Sequence, residues 1–449
     1  MRKFLALFLS LVLVLSLAAC GGAPAEEAPK ADAPAAEAPK ADAPAAEEPK
    51  AETIRVGVLE PLTGGSASLG QYQVDGIQAY FDYINAQGGI KSMGGAQLEI
   101  VLADTESTPD VGVTGFERLV TKENVVAVMG TYNSNVGAAV APLAIKYKMP
   151  FIVVNAVTDS ILQTESNYIW RANNSDSTTK SWMPGFYKWV EEVSGKEYSK
   201  VAIVADASDW GQAQVTMALE QFFPQMGWEA VVTEVIQTNT ADFSTTINKI
   251  KNSGAELVMP YLYLSDIVLF TQQMQEYQVN IPILSGGGGA TDPSYVGNAG
   301  DAAEYVLINS SWFHCSYDGL TPKGQELFLK YEEEFSAKYG VDYEITEPFA
   351  NGWMGAGVLV DALERAGTAE TEALCAAIDS TNLKRGDDAL LFSLYEGIIF
   401  DDVDGMYNQN PYASMMAVQI IDGQQKAIYP LAEGVENPLV WPIPAYKDR

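Results

Sequence analysis

The sequence predicts an α/β protein built as two lobes, each a mainly parallel sheet flanked by helices. Three observations carry this. Apolar, β-branched runs alternate with helical patterns from residue 53 onward, which is the signature of parallel strands covered by helices on both faces. The alternation comes as two successive series. The stretch 53–449 also exceeds the roughly 250–300 residues over which a single hydrophobic core keeps growing.

Ahead of this part stand two segments of another kind. Arg2 and Lys3 precede an apolar run from Phe4 to Leu17, interrupted only by Ser10 and Ser16. A charged start, a short apolar stretch and small residues at its end describe a secretory signal. The run is shorter than the roughly 20 apolar residues a bilayer-spanning helix needs. Ala18, Ala19 and Cys20 resemble the lipobox of bacterial lipoproteins. That resemblance implies removal of residues 1–19 and acylation of Cys20, with two or three acyl chains giving stable membrane attachment. Residues 20–52 follow as a tether, in which APKADAPAAE begins at Ala28 and again at Ala38. Without aromatic or branched apolar side chains it cannot offset its ordering entropy, and its prolines favour an extended spacer.

In the first series, Thr53–Pro61 (TIRVGVLEP) reads as a buried parallel strand. Val74, Ile77, Phe81 and Ile84 then recur at steps of three and four, placing one apolar face on a helix that Gly88-Gly89 stops. QLEIVLAD, VVAVMGT and PFIVVN continue the strands. The second series runs through KVAIVAD, AVVTEVIQ, ELVMPYL and IPILSGG. In open α/β sheets ligands sit beyond the carboxyl ends of the strands. The loops there are TGGSASLG (63–70), GTYNSNVG (130–137), NAVTD (155–159), DASDWG (206–211), YLYLSD (261–266) and SGGGGATD (285–292). Small polar side chains and free backbone amides suit a carboxylate or amide, and aromatic walls suit an apolar remainder.

Net charge bounds the partners. With 58 acidic against 27 basic residues the chain carries −31, which argues against nucleic acid. Cys315 and Cys375 remain beside Cys20; export permits a disulfide between them, and two separate buried thiols are the simpler expectation.

RVGVLEPLTGGSASLGQYQVDGIQAYFDYINAQGGI resembles the opening of type I periplasmic-binding-protein receptors for leucine, isoleucine and valine. That branch of the ABC uptake systems also includes amide and urea receptors. The resemblance continues in order through VVAVMGTYNSN, PFIVVNAVTDSIL, YIWRANNSD, KVAIVADASDWGQA, DFSTTINKIKNSGAELV, GDAAEYVLI, AGVLVDALERAG and GIIFDDVDG. It implies two lobes joined by three crossovers, near Arg171–Asn173, Asn309–Ser311 and Asp402–Pro411. Lobe one is then 53–172 with 312–405, and lobe two 173–311 with 406–449. It also implies a lipid-anchored monomer outside the cell membrane that hands a small organic solute to an ABC permease and its ATPase subunits, using no cofactor. The solute is amino-acid-like, with branched-chain amino acids, amides, urea-like compounds and aromatic acids as the open classes.

The same resemblance implies the site. Ser134 stands where the family binds a ligand carboxylate, and Thr158 where it contacts an amino-acid backbone, with Asn155, Ala156 and Val157 beside it. Asn135 neighbours Ser134, Leu69 replaces the first-loop aromatic, and Trp210 and Tyr263 match aromatics of lobe two. The family's ammonium-pairing acid falls at Gly287, so Asp206, Asp266 or Asp292 would have to supply that charge from a nearby loop. Ser134 and Thr158 also suit helix caps, and Trp312 and Trp353 suit lobe packing. Against an enzyme, His314 is the one histidine, so no histidine-based zinc pair exists and no GxSxG elbow feeds a triad. Carboxylate-pair chemistry and a ligand-sensing role on the same fold are the remaining rivals.

Overall fold

The computed structural model describes residues 53–431 and 435–449, so the signal, Cys20 and the tether lie outside the described residues. The first lobe opens with β1 (Thr53–Glu60), α1 (Ala67–Ala86), β2 (Gln97–Asp104), α2 (Pro109–Lys122), β3 (Val128–Gly130), α3 (Ser134–Tyr147), β4 (Phe151–Val153) and β5 (Ile169–Arg171). Val74, Ile77 and Phe81 form the buried face expected of α1. The helix ends ahead of Gly88 and Gly89, whose φ values of 102° and 70° only glycine adopts without strain.

The chain then enters the second lobe through α4 (Asp176–Ser194). There follow β6 (Lys200–Asp206), α5 (Asp209–Met217), α6 (Phe223–Met226), β7 (Glu229–Ile236), α7 (Ser244–Ser253) and β8 (Leu257–Tyr261). The series closes with α8 (Leu264–Glu276), β9 (Leu284–Ser285), α9 (Ser294–Ala299) and β10 (Leu307–Ser310). Returning to the first lobe, it forms α10 (Pro322–Tyr339), α11 (Glu347–Ala366), α12 (Thr371–Asp379), the antiparallel pair β11 (Leu383–Lys384) and β12 (Gly397–Ile398), and the hairpin β13 (Asp401–Val403)–β14 (Met406–Gln409). β15 (Met416–Ile421) and β16 (Gln424–Tyr429) belong to the second lobe.

The first sheet has the order β13-β14-β5-β4-β3-β1-β2, parallel throughout except within the β13–β14 hairpin. In the second lobe β7-β6-β8 is parallel, and a Val258–Ile283 bridge connects it to β9-β10-β15-β16. Both hairpins turn on an Asp-Gly pair with positive φ at both residues, Asp404-Gly405 and Asp422-Gly423, the geometry that two-residue hairpin turns prefer. Because β14 pairs with β5 through Gln409 and Arg171, the chain leaves the first sheet after Gln409. The boundary at 405/406 read from the sequence is therefore displaced by the length of that strand.

In the first lobe α1 and α11 cross with almost no side chain between them. A Cβ on Gly76 would lie 2.1 Å from the Phe349 carbonyl oxygen, and one on Gly352 would lie 2.4 Å from that of Gln73. This crossing sets the amino-terminal end of α11, and with it Glu347, beside the cleft. Trp353 is fully buried against Tyr80 and Phe392, and Trp312 is buried in the same core. Cys315 and Cys375 are both free. Among the described residues no helix is long and apolar enough to cross a membrane.

Where the lobes join, Arg171 is sealed from solvent. Its Nε donates to Gln409 Oε1 at 2.7 Å, and its Nη1 to the carbonyls of Ala156 and Thr158 at 3.2 and 2.8 Å. Gln409 Nε2 donates in turn to the Asn173 carbonyl at 2.8 Å, and Asn410 Nδ2 to that of Ala172 at 2.9 Å. Two crossovers are thus pinned to each other and to the loop after β4. Replacing Arg171 by Leu strands several buried acceptors, so we expect a loss of at least about 3 kcal/mol in urea unfolding. A loss below about 1 kcal/mol would show that the pin does not stabilise the fold.

Candidate functional site

Between the lobes, the loops at the carboxyl ends of the strands line a cleft, the place where open α/β sheets take their ligands. From the first lobe Tyr132 and Ser134 enter after β3, Asn155 and Val157 after β4, and Glu347 from the first turn of α11. Trp210 and Gln214 come from α5, Tyr263 from the loop after β8, and Gly286, Gly287 and Gly288 from the loop after β9. The crossovers complete the wall with Asn174, Asn309, Ser310 and Met415, and α4 adds Thr179. The lobes also touch beside the cleft, where Ser68 Oγ donates to Asp292 Oδ2 at 3.1 Å.

Several polar wall residues are held by a partner behind them. Ser134 opens α3, and its Oγ accepts the Val157 N–H at 3.3 Å. Asn155 Oδ1 accepts from Asn351 Nδ2 at 2.8 Å, tying the β4 loop to α11. The Tyr132 N–H donates to Glu60 Oε2 at 2.9 Å, and Glu60 is fully buried at the end of β1. With the Gln73 amide nitrogen turned inward, it donates to both Glu60 oxygens, at 2.9 and 2.8 Å. Burial drives the Glu60 carboxyl well above the usual carboxylate range, against the pull of the Tyr132 N–H. Gln214 Nε2 donates to Asp176 Oδ1 at 2.9 Å.

The aromatic wall explains the glycine run. Trp210 leans on Tyr263 with ring centroids 5.4 Å apart and meets Tyr261 edge-on at 6.2 Å. A Cβ on Gly286 would fall 2.2 Å from the Tyr261 ring, and one on Gly288 2.5 Å from Trp210. Gly287 has φ 75° and ψ −138°, a backbone region closed to an acid side chain without strain. An acid here would therefore cost backbone strain.

Of the residues expected from sequence, Ser134, Asn155, Trp210, Tyr263 and Gly287 line the cleft together. Leu69, Asn135, Ala156 and Thr158 do not. Leu69 is buried in α1, and Asn135 Oδ1 accepts the N–H of Val136. Ala156 is fully buried and, like Thr158, offers its carbonyl to Arg171. Asp206, Asp266 and Asp292 stand outside the lining as well. Asp206 accepts the Ser208 N–H at 2.8 Å, Asp266 those of Asn239 and Thr240 at 2.9 Å, and Asp292 both Ser294 and Ser68. Their loop positions suggested charge for the cleft; their backbone donors turn them inward to shape turns instead.

Sequence reasoning missed Tyr132, Asn174, Gln214 and Glu347. Tyr132 and Asn174 sit inside motifs already singled out, GTYNSN and ANNSD. Glu347 precedes a proline at a helix start, where an acid reads as a partner of the helix dipole rather than of a solute. Among the described residues no group of three or more His, Cys, Asp or Glu is placed to hold a metal ion. His314 lies outside the cleft lining, its Nε2 2.9 Å from Glu332 Oε1.

A family model described as periplasmic binding protein matches residues 53–424. The chain belongs to that family. Leu/Ile/Val-binding protein homolog 7 of Brucella suis is 27% identical over 390 residues, covering 86% of this chain and 93% of the relative. Among solved structures, the branched-chain amino acid transporter substrate binding protein LivJ of Streptococcus pneumoniae, in complex with isoleucine, is 21% identical with a TM-score of 0.70, covering 84% of this chain and 98% of that one. An ABC transporter solute binding protein of Rhodopseudomonas palustris, in complex with 3,4-dihydroxy benzoic acid, is 20% identical with a TM-score of 0.68, covering 83% and 95%. At these identities the likeness is one of fold, and it is the two-lobed type I periplasmic-binding fold expected from the sequence.

Behind the cleft wall, where Gln214 bonds to it, Asp176 carries a pH signature. Burial, with Asp159 nearby, pushes its pKa from 3.8 up to about 6, while Arg171 and Gln214 pull the other way. A carboxyl that holds its proton more tightly when folded favours the fold most below its unfolded pKa. That contribution is lost as pH rises from about 4 to about 6. The Asp176→Asn variant lacks it. Its melting temperature relative to wild type should therefore climb between about pH 4 and pH 7, read by circular dichroism. A constant offset would mean that Asp176 titrates normally.

Proposed function

We propose that this periplasmic-binding protein is the extracytoplasmic solute receptor of an ABC importer, anchored to the membrane through lipid on Cys20. It takes up a small amino-acid-like solute between its lobes and presents the closed form to the permease as a monomer. The observation that supports this most is the cleft itself, lined by polar side chains from both lobes and by the Trp210–Tyr263 pair of the second. Contacts to both lobes exist together only in the closed arrangement, so a solute shifts the population toward it. On this reading Ser134, Asn155 and nearby backbone amides hold the polar head, and Trp210 and Tyr263 cover the remainder. The chemistry ends at binding, with no bond made or broken.

Trp210→Ala should weaken binding of the solute retained by the purified protein at least tenfold in isothermal titration. Unchanged affinity would remove Trp210 from the site. Solute should also compact the protein in small-angle scattering, and superimposable curves would count against closure. For the anchor, Cys20→Ser should move the protein from the membrane pellet to the soluble fraction. A variant that stays in the pellet would refute lipid attachment at that residue.

A further inference from the structure

The cleft is chemically lopsided. Among the described residues that line it, Glu347 is the one acid, and there is no lysine, arginine or histidine. Arg171 cannot neutralise it from behind the β4 loop, because its donors are spent on Gln409, Ala156, Thr158 and Met406, with Asp159 at 3.9 Å. Glu347 accepts the Ser311 hydroxyl at 2.5 Å, and no cation pairs with it among the described residues. Burial raises its proton affinity, outweighing the neighbouring donors.

One further lining residue carries an unsatisfied acceptor. Asn174 lines the cleft, is 5% exposed, and its buried Oδ1 has no hydrogen-bond partner among the described residues. A carboxylate on the wall of a cleft without a cation calls for a charged donor from the occupant. Elsewhere on the wall the Ser134 hydroxyl, which only accepts within the protein, keeps a proton to donate to an anion.

We infer that Glu347 is the cation-pairing residue of this cleft, so that the solute carries a protonated amine, as an amino-acid zwitterion does and an aromatic monoacid does not. The acid then reaches the solute from the first lobe, and the glycine run of the second lobe has no need of one. This rests on the receptor reading above and adds the class of solute to it. A benzoate-like ligand would bring its negative charge into a space that already holds Glu347 and offers no cation, an arrangement that disfavours binding.

The test uses the full chain, freed of retained solute, in isothermal titration and small-angle scattering. The panel holds the proteinogenic amino acids, the amine-free counterparts 3-methylpentanoate and 4-methylpentanoate, and 4-hydroxybenzoate. Wild type should bind at least one amino acid, and a branched-chain one at least a hundredfold more tightly than its amine-free counterpart if that is the class retained. Glu347→Gln should cut amino-acid affinity at least tenfold while leaving amine-free acids unchanged or improved, and Glu347→Asp should fall between. Circular dichroism melting checks folding, and should the Gln variant fail to fold, the Asp variant carries the comparison. Amino-acid binding that survives Glu347→Gln overturns the inference. Wild-type protein that closes around 4-hydroxybenzoate or a methylpentanoate and around no amino acid overturns it too, yet leaves the receptor reading standing. Curves unmoved by every compound overturn both.

Discussion

A guanidinium sealed from water lies where the two lobes meet, and the geometry of the cleft depends on it. Stripping a cation of its hydration is expensive, and the burial of Arg171 lowers its pKa to about 10, which still leaves it charged at neutral pH. The cost is offset only because Gln409 and the carbonyls of Ala156 and Thr158 replace the lost water. Those partners come from two distant stretches of chain. Satisfying one side chain therefore fixes a crossover and the loop that carries Asn155 and Val157 into the cleft.

The opposite wall obeys a different constraint, that of space. Tyr261 and Trp210 press so closely on the Gly286–Gly288 backbone that no side chain fits at Gly286 or Gly288. Aromatic surface is gained there at the cost of side chains that could have carried charge. The cleft's charge comes instead from the start of α11, held by the near side-chain-free crossing of α1 and α11 at Gly76 and Gly352. The two lobes thus differ in what they bring to the cleft, the first its one acid and the second the Trp210–Tyr263 pair.

Much of the fold was legible along the chain. KVAIVAD coincides with β6, and the spacing of Val74, Ile77 and Phe81 marks the buried face of α1, because strand and helix periodicities are properties of neighbouring residues. The hairpin at 401–409 turns on Asp404-Gly405, a local feature that does not tell which sheet it joins. Which sheet a short hairpin joins depends on a partner strand more than two hundred residues away, and β5 settled it.

The site was legible only in part. Loops at the carboxyl ends of strands follow from the fold class, so Ser134, Asn155, Trp210 and Tyr263 could be found by position. Thr158 and Ala156 lie in the right loop, but their carbonyls are turned to Arg171, a choice set by a buried charge that no local pattern reveals. By itself the sequence determined a two-lobed α/β solute-binding fold and strand-end loops rich in small polar and aromatic residues. Tertiary structure alone decided which of the many acids faces that cleft, because Asp206, Asp266 and Asp292 find donors within their own lobes or across the lobe contact, while α11 carries Glu347 to a wall without a cation.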